Sequence, residues 1–164
     1  LRRNCSTIPS SVKLVLHKTL IRPKLEYAVS VWDPMHVKII TALERVQNNS
    51  TRFILSNYNR TASITGMKAS LSLPSLAARL KVSRLNLFHN IYYHTFLHDI
   101  FILSPQYMSH RIDHRYKVGI LFCKTKTFSE FFLPRTAIEW NHLPADIVSI
   151  IDNQRFREAL TAIT

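Results

Sequence analysis

Apolar residues recur along this chain mostly at intervals of three and four, the spacing that lines one face of a helix. Pro9-Ser10-Ser11 reads as a helix start, with a serine available to cap the first free amides. Val12, Val15, Leu16, Thr19 and Leu20 then share one face. Pro23 lacks the amide a helix interior needs, so the helix is expected to kink or restart there. Leu25, Tyr27, Ala28, Val31 and Trp32 continue the apolar face. Asp33-Pro34 marks the next boundary, because Asp caps and proline suits the first helical position. Ile39, Ile40, Leu43, Val46, Ser50, Phe53 and Ile54 predict one long helix. A polar loop at 56–63 and a short helix at 64–71 follow, ended by Leu73-Pro74. The next long helix is expected to turn Leu76, Ala77, Leu80, Leu87, Phe88 and Ile91 inward, with Arg79, Lys81 and Arg84 on its surface.

Beyond about residue 95 the period breaks down. Residues 104–117 mix Pro, Ser, His, Asp and Arg and read as a surface connection. Tyr116, Val118 and Ile120 alternate, as Thr125, Thr127 and Ser129 do less clearly, which makes a short β-hairpin the expected element. Pro134 to Trp140 reads as one or two helical turns ended at Leu143-Pro144. A last amphipathic helix from Asn153 buries Phe156 and Leu160. The fold class is therefore mainly α, with a helical region over 1–94 and an extension over 95–164 that carries the hairpin and terminal helices.

Apolar residues make up 46% of the 164, enough to build a core. No run of 18 apolar residues is present, so an ordinary membrane span is not expected. The chain opens at Leu1 without a charged-then-apolar leader and is read as a fragment of something longer. Cys5 and Cys123 lie too far apart to suggest a disulfide framework, so a reducing compartment, nuclear or cytoplasmic, is expected. In that setting the Asn-x-Ser/Thr triplets at Asn4, Asn48, Asn49 and Asn59 read as chance.

Charge changes the picture most. The net charge is +12. Residues 1–84 hold 14 lysines and arginines against Glu26, Asp33 and Glu44, whereas residues 85–164 hold 8 against seven acids. Concentrated cations attract a polyanion by releasing its counterions, so nucleic acid is the default partner. An anionic membrane is the rival and a merely solvated face the bland alternative. Lys38, Arg45 and Arg52 fall seven residues apart on the long helix, which sets them on one stripe. Tyr58, in the polar loop beside Arg60, is the better candidate for stacking on a base. Phe88 lies on an apolar face and reads as core.

Catalytic chemistry has little to stand on. With only Gly66 and Gly119 there is no Walker loop and no dinucleotide fingerprint. The five aspartates are scattered, so no two-metal cluster is evident. His89, His94 and His98, or His110 and His114, lack the cysteine pair a structural zinc site needs. No G-x-S-x-G elbow occurs. Neither catalytic residues, nor metal ligands, nor a cofactor are assigned.

Three segments together resemble the region after the polymerase core of LINE-type (non-LTR) retrotransposon reverse transcriptases, most like arthropod elements. They are LIRPKLEYAVSVWDP at 20–34, LERVQNNSTRFIL at 43–55 and FLPRTAIEWNHLP at 132–144. The 73–84 stretch matches the family's next helix loosely, and the resemblance covers nearly the whole chain. It implies a thumb-like helical bundle with a C-terminal extension, which grips template–primer RNA or DNA as it leaves the active site. The catalytic aspartates, with their Mg ions, would belong to an upstream polymerase core in the same polypeptide, and no downstream Cys/His knuckle is present. On that reading the parent is an RNA-directed DNA polymerase, while this chain does not polymerise. Lys13, Lys24, Lys38, Arg45, Arg52, Arg60 and Arg79 would contact phosphates, and Tyr58 would stack. Such contacts position a nucleic acid without reading its sequence. Tyr27, Trp32, Phe53, Trp140 and Leu143 read as packing residues. Pro23, Pro34 and Pro144 set helix ends, and Arg135 with Glu139 makes an i, i+4 pair. A degenerate transposon remnant, or a helical protein-interaction domain, is the competing expectation.

Overall fold

The computed structural model describes residues 5, 7–27 and 37–163. The expectations placed on Asn4, Ala28, Val31, Trp32 and the Asp33-Pro34 boundary lie outside them. The fold is mainly helical. Its contacts divide the chain into two compact units, Leu1–Arg79 and Leu80–Thr164, a division earlier than the 94/95 boundary.

The first unit opens with α1 (Ser10–Leu16), a π-helical stretch (His17–Ile21) and α2 (Arg22–Glu26), which run on without a break. Pro9 occupies the N-cap, so no serine side chain caps this helix; the Lys13 amide bonds back to the Pro9 carbonyl at 3.1 Å. Pro23 sits in the first turn of α2, and the widened turn before it lets the Arg22 amide reach the His17 carbonyl. The expected buried face of α1 is inverted. Val12, Val15 and Leu20 are exposed, and Lys13 and His17 are buried.

α3 (Val37–Leu55) is the long helix the period predicts, and α4 (Ile64–Ser70) the short one, its N-cap Ser63 accepting from the Gly66 amide at 3.3 Å. Both end in the same way. After α3 the Asn57 amide bonds Arg52 O at 3.0 Å and the Ser56 amide bonds Phe53 O at 3.3 Å. After α4 the Leu73 amide bonds Lys68 O at 2.9 Å and the Ser72 amide bonds Ala69 O at 3.0 Å. Each is a Schellman closure with a serine at φ 51° where glycine is the usual residue.

α5 (Leu76–Tyr93) gives its first turn to the first unit and its remaining turns to the second. Val82, Leu85, Arg84 and His89 are buried together with Leu76, Leu80, Phe88 and Ile91, while Ala77 and Leu87 are exposed. A helix buried nearly all round has no single apolar stripe, which is why one face was a poor guide.

The second unit continues with α6 (Thr95–Phe101), α7 (Lys126–Ser129), α8 (Phe132–Asn141), α9 (Ala145–Val148) and α10 (Asn153–Ile163). Its core gathers Val82, Leu85, Phe88, Val118, Ala137, Trp140, Val148, Phe156 and Leu160. Trp140 is fully buried, its ring centroid 5.2 Å from Phe88 and 5.8 Å from Phe156, and its indole N–H donates to Tyr116 O at 3.0 Å. The final helix buries Phe156 and Leu160 as its period predicts. The expected hairpin does not form among the described residues. Only Leu103 and Gly119 make an isolated antiparallel bridge, and residues 126–129 are helical. Val118 has its strand-like bonds met by a side chain instead: Asn141 accepts from its amide and donates to its carbonyl, both at 2.9 Å. At Gly119 a Cβ would lie 2.7 Å from Ser104 O, so the close crossing of these two segments needs glycine.

Candidate nucleic-acid interface

The candidate surface belongs to the first unit and begins with α3. Lys38 and Arg45 are exposed on it and Arg52 is half-buried. The helix is continuous from Val37 to Leu55, so these three cations stay on one stripe, about 10 Å apart along the axis. Arg52 Nη1 donates to the Asn59 carbonyl at 2.6 Å, which ties the 56–63 loop to the end of the stripe. That loop carries exposed Arg60 and half-exposed Tyr58. Lys24 is exposed on α2.

Two predicted phosphate ligands are not on the surface. Lys13 is 3% exposed; its ammonium donates to Ser56 Oγ at 2.8 Å and lies 5.0 Å from the centre of the Phe53 ring. Its stem crosses apolar surface while its charge meets a hydroxyl and a ring face, which accounts for a buried lysine on a helix with exposed valines. Arg79 is 7% exposed and pairs with Glu26 at 2.5 Å and with Gln47 Oε1 at 2.5 Å. Burial pushes its guanidinium pKa down and the Glu26 carboxylate opposes that. A phosphate could reach either residue only by displacing these partners. Arg84, expected at the surface, is also buried, bonding both Glu139 oxygens at 2.6 and 2.7 Å.

The acids explain what is left over. Glu26 takes Arg79 and also Arg22, 3.0 and 3.2 Å from its two oxygens. Glu44 pairs with Lys68 through one oxygen and accepts the Leu76 amide through the other at 3.0 Å, capping the start of α5. Both described carboxylates of this unit are therefore engaged by Arg22, Arg79 and Lys68. None of the described acids pairs with exposed Lys18, Lys24, Lys38, Arg45 or Arg60. Among the described residues, then, these surface cations have no acidic partner, whereas buried Arg79 is paired with Glu26.

His17 is 1% exposed, and neither ring nitrogen has a hydrogen-bond partner among the described residues. Burial lowers its pKa first, and nearby Arg79 and Arg22 lower it further against a smaller pull from Glu26. The ring is held neutral.

Composition and period did not reveal Gln47 or Asn141, nor that Glu139, read as the i, i+4 partner of Arg135, also holds Arg84, although all three fall inside the quoted segments. Gln47 is fully buried, donating to Pro74 O at 2.9 Å while it receives Arg79. Glu139 holds Arg84 from α5, with its i, i+4 neighbour Arg135 3.5 Å away. A buried polar side chain at a fixed place within an apolar period was the available signal. Of the aromatic residues read as packing, Trp140 is buried and Phe53 half-buried, whereas Tyr27 is 78% exposed.

Among the described residues no group of three His, Cys, Asp or Glu is placed to hold a metal ion, and no helix is long and apolar enough to cross a membrane. Comparisons with protein-family models, with curated proteins and with solved structures gave no match.

Proposed function

We propose that this chain is a nucleic-acid-binding helical module from the thumb and post-thumb region of a non-LTR retrotransposon reverse transcriptase, and that it works inside the cell. The observation that carries the proposal is the distribution of charge in the first unit. Both described acids are engaged internally, and exposed Lys24, Lys38, Arg45 and Arg60 are left facing solvent, with Arg52 at the end of the same stripe. The sequence resemblance gives that surface its partner, a template–primer duplex, and assigns catalysis to an upstream polymerase core. In this reading the cations contact phosphates, Tyr58 stacks on an unpaired base at the edge, and the chain carries no catalytic centre.

The test is duplex affinity as a function of salt. Each phosphate neutralised contributes a slope of roughly 0.9 in log K against log salt. Reversing Lys38, Arg45 and Arg52 to Glu should lower the slope by about 2 to 3 and weaken every duplex sequence alike. Lys13→Met should alter stability and leave the slope unchanged. Affinity indifferent to ionic strength overturns the proposal.

A protein-interaction role is favoured by a separate observation in the second unit, where Phe96, Ile112 and Phe122 are 67%, 87% and 84% exposed. Large apolar side chains so open to water suit a protein partner better than a polyanion.

A further inference from the structure

We infer that Ser63 is a phosphorylation site for an arginine-directed protein serine kinase. Ser63 is exposed at the end of the 56–63 loop, and exposed Arg60 stands three residues before it. One other serine of the sequence, Ser6 after Arg3, has an arginine at that position. Hydroxyl residues deep in the helices, such as Thr51 and Thr136, are buried, and their hydroxyls are bonded to the carbonyls of Gln47 and Phe132. Ser63 Oγ instead accepts from the Gly66 amide at 3.3 Å, so its own proton is free to leave. An acidic pocket that binds Arg60 would bring the Ser63 hydroxyl up to the γ-phosphate of ATP. Oγ attacks the γ-phosphorus, the bond to the β,γ-bridging oxygen breaks, ADP departs, and the hydroxyl proton passes to the kinase's base.

The modification also has a place to act. A phosphoserine adds about −2 charge and three acceptor oxygens. Here it joins a loop already fastened to Arg52 through Asn59 and carrying Arg60. It would neutralise part of the cationic surface at one end of the α3 stripe. The phosphotransfer stands apart from the nucleic-acid reading; only this consequence rests on it.

The experiment treats the full chain with ATP and a basophilic serine kinase, and follows it by intact mass and peptide mapping. The expected result is a phosphate on Ser63, with the peptide that holds Ser6 mapped separately. Ser63→Asn keeps a good helix cap and removes the acceptor hydroxyl, so it should fold like the parent and take up no phosphate at that position. Arg60→Gln should slow the transfer by about tenfold, the loss expected for one charge-assisted contact. No phosphate on Ser63, or a Ser63 rate indifferent to Arg60, overturns the site. The phosphorylated and unmodified chains are then compared for duplex binding. Weaker binding with a shallower salt slope supports the consequence, and equal binding removes it. If the unmodified chain binds no duplex while Ser63 is still phosphorylated, the function proposal fails and the site stands.

Discussion

The two units spend their charged residues in opposite ways. In Leu80–Thr164 ten basic residues stand against seven acids, where Leu1–Arg79 has twelve against three, and the core is aromatic: Trp140, Phe88, Phe156 and the stacked His89 ring, 4.1 Å from Phe156. In Leu1–Arg79 the interior itself holds Lys13, His17, Gln47 and Arg79. A buried cation is costly unless matched, and the two described acids, Glu26 and Glu44, are taken up by Arg79, Arg22 and Lys68, so among the described residues the exposed cations have no acidic partner. The basic exterior is thus in part a consequence of how the interior is built. Surface charge in this protein has to be counted after the interior has taken its share.

The comparison breaks hardest at the aromatic core. Trp140→Ala is expected to destabilise the second unit by about 3–5 kcal/mol, the range for emptying a buried aromatic site. Chemical denaturation followed by circular dichroism measures it; a loss below 1 kcal/mol would mean this core is not what holds the unit. Next comes the matched interior of the first unit. Glu26→Gln leaves Arg79 buried with a neutral partner and should cost roughly 2–3 kcal/mol, somewhat less than the loss of a fully buried pair because Glu26 is partly solvated. An unchanged denaturation midpoint would show that the pair contributes nothing.

Acid should erode both units through histidine. His17 and His89 each have a pKa lowered from 6.5, chiefly by burial, so the folded state holds them neutral. The unfolded chain then binds more protons below that value. The stability is complete above about 6.5 and is lost as pH falls through the lowered folded values. The histidines differ in a way the experiment can separate. His89 Nε2 donates to Ile150 O at 2.6 Å while Nδ1 accepts from Asn153 at 3.3 Å, whereas His17 has neither bond. His17→Phe should flatten the acid limb of the stability–pH curve without lowering the plateau, and His89→Phe should lower the plateau too. A curve of His17→Phe parallel to the parent's would count against the role of His17. The smallest effect is at a helix end. Ser72→Gly relieves a left-handed serine and should raise stability by up to roughly 1 kcal/mol, read as a small rise in Tm. A fall in Tm would show that the serine hydroxyl contributes more than its backbone strain costs.

Much of this could be read along the chain. α10 follows its period, burying one side and exposing the other; α3 forms where its period predicts a helix, but it buries Gln47, Ser50, Thr51 and Ile54 and leaves Ile39 and Val46 exposed. α1 could not be read that way, because the stems of Lys13 and His17 are buried where Val12 and Val15 were expected. The hairpin around Val118 failed for a related reason: its strand-like partner is the Asn141 side chain, which no alternation pattern records. At the candidate surface, the excess of cations was visible in composition. Which of them would be consumed inside was not. Arg79 meets Glu26 and Arg84 meets Glu139 across long stretches of sequence, and only folding brings them together.

α5 also determines how the chain can be divided. The contacts separate between Arg79 and Leu80, yet that peptide bond lies inside a continuous helix. Cutting ahead of Leu76 takes Arg79 from Glu26 and Gln47, and frees the Glu44 oxygen that caps Leu76. Cutting behind Tyr93 strips Val82, Leu85 and Phe88 from Trp140 and Phe156. An endoprotease that cuts at either end of this helix would therefore leave one product short of part of its own interior.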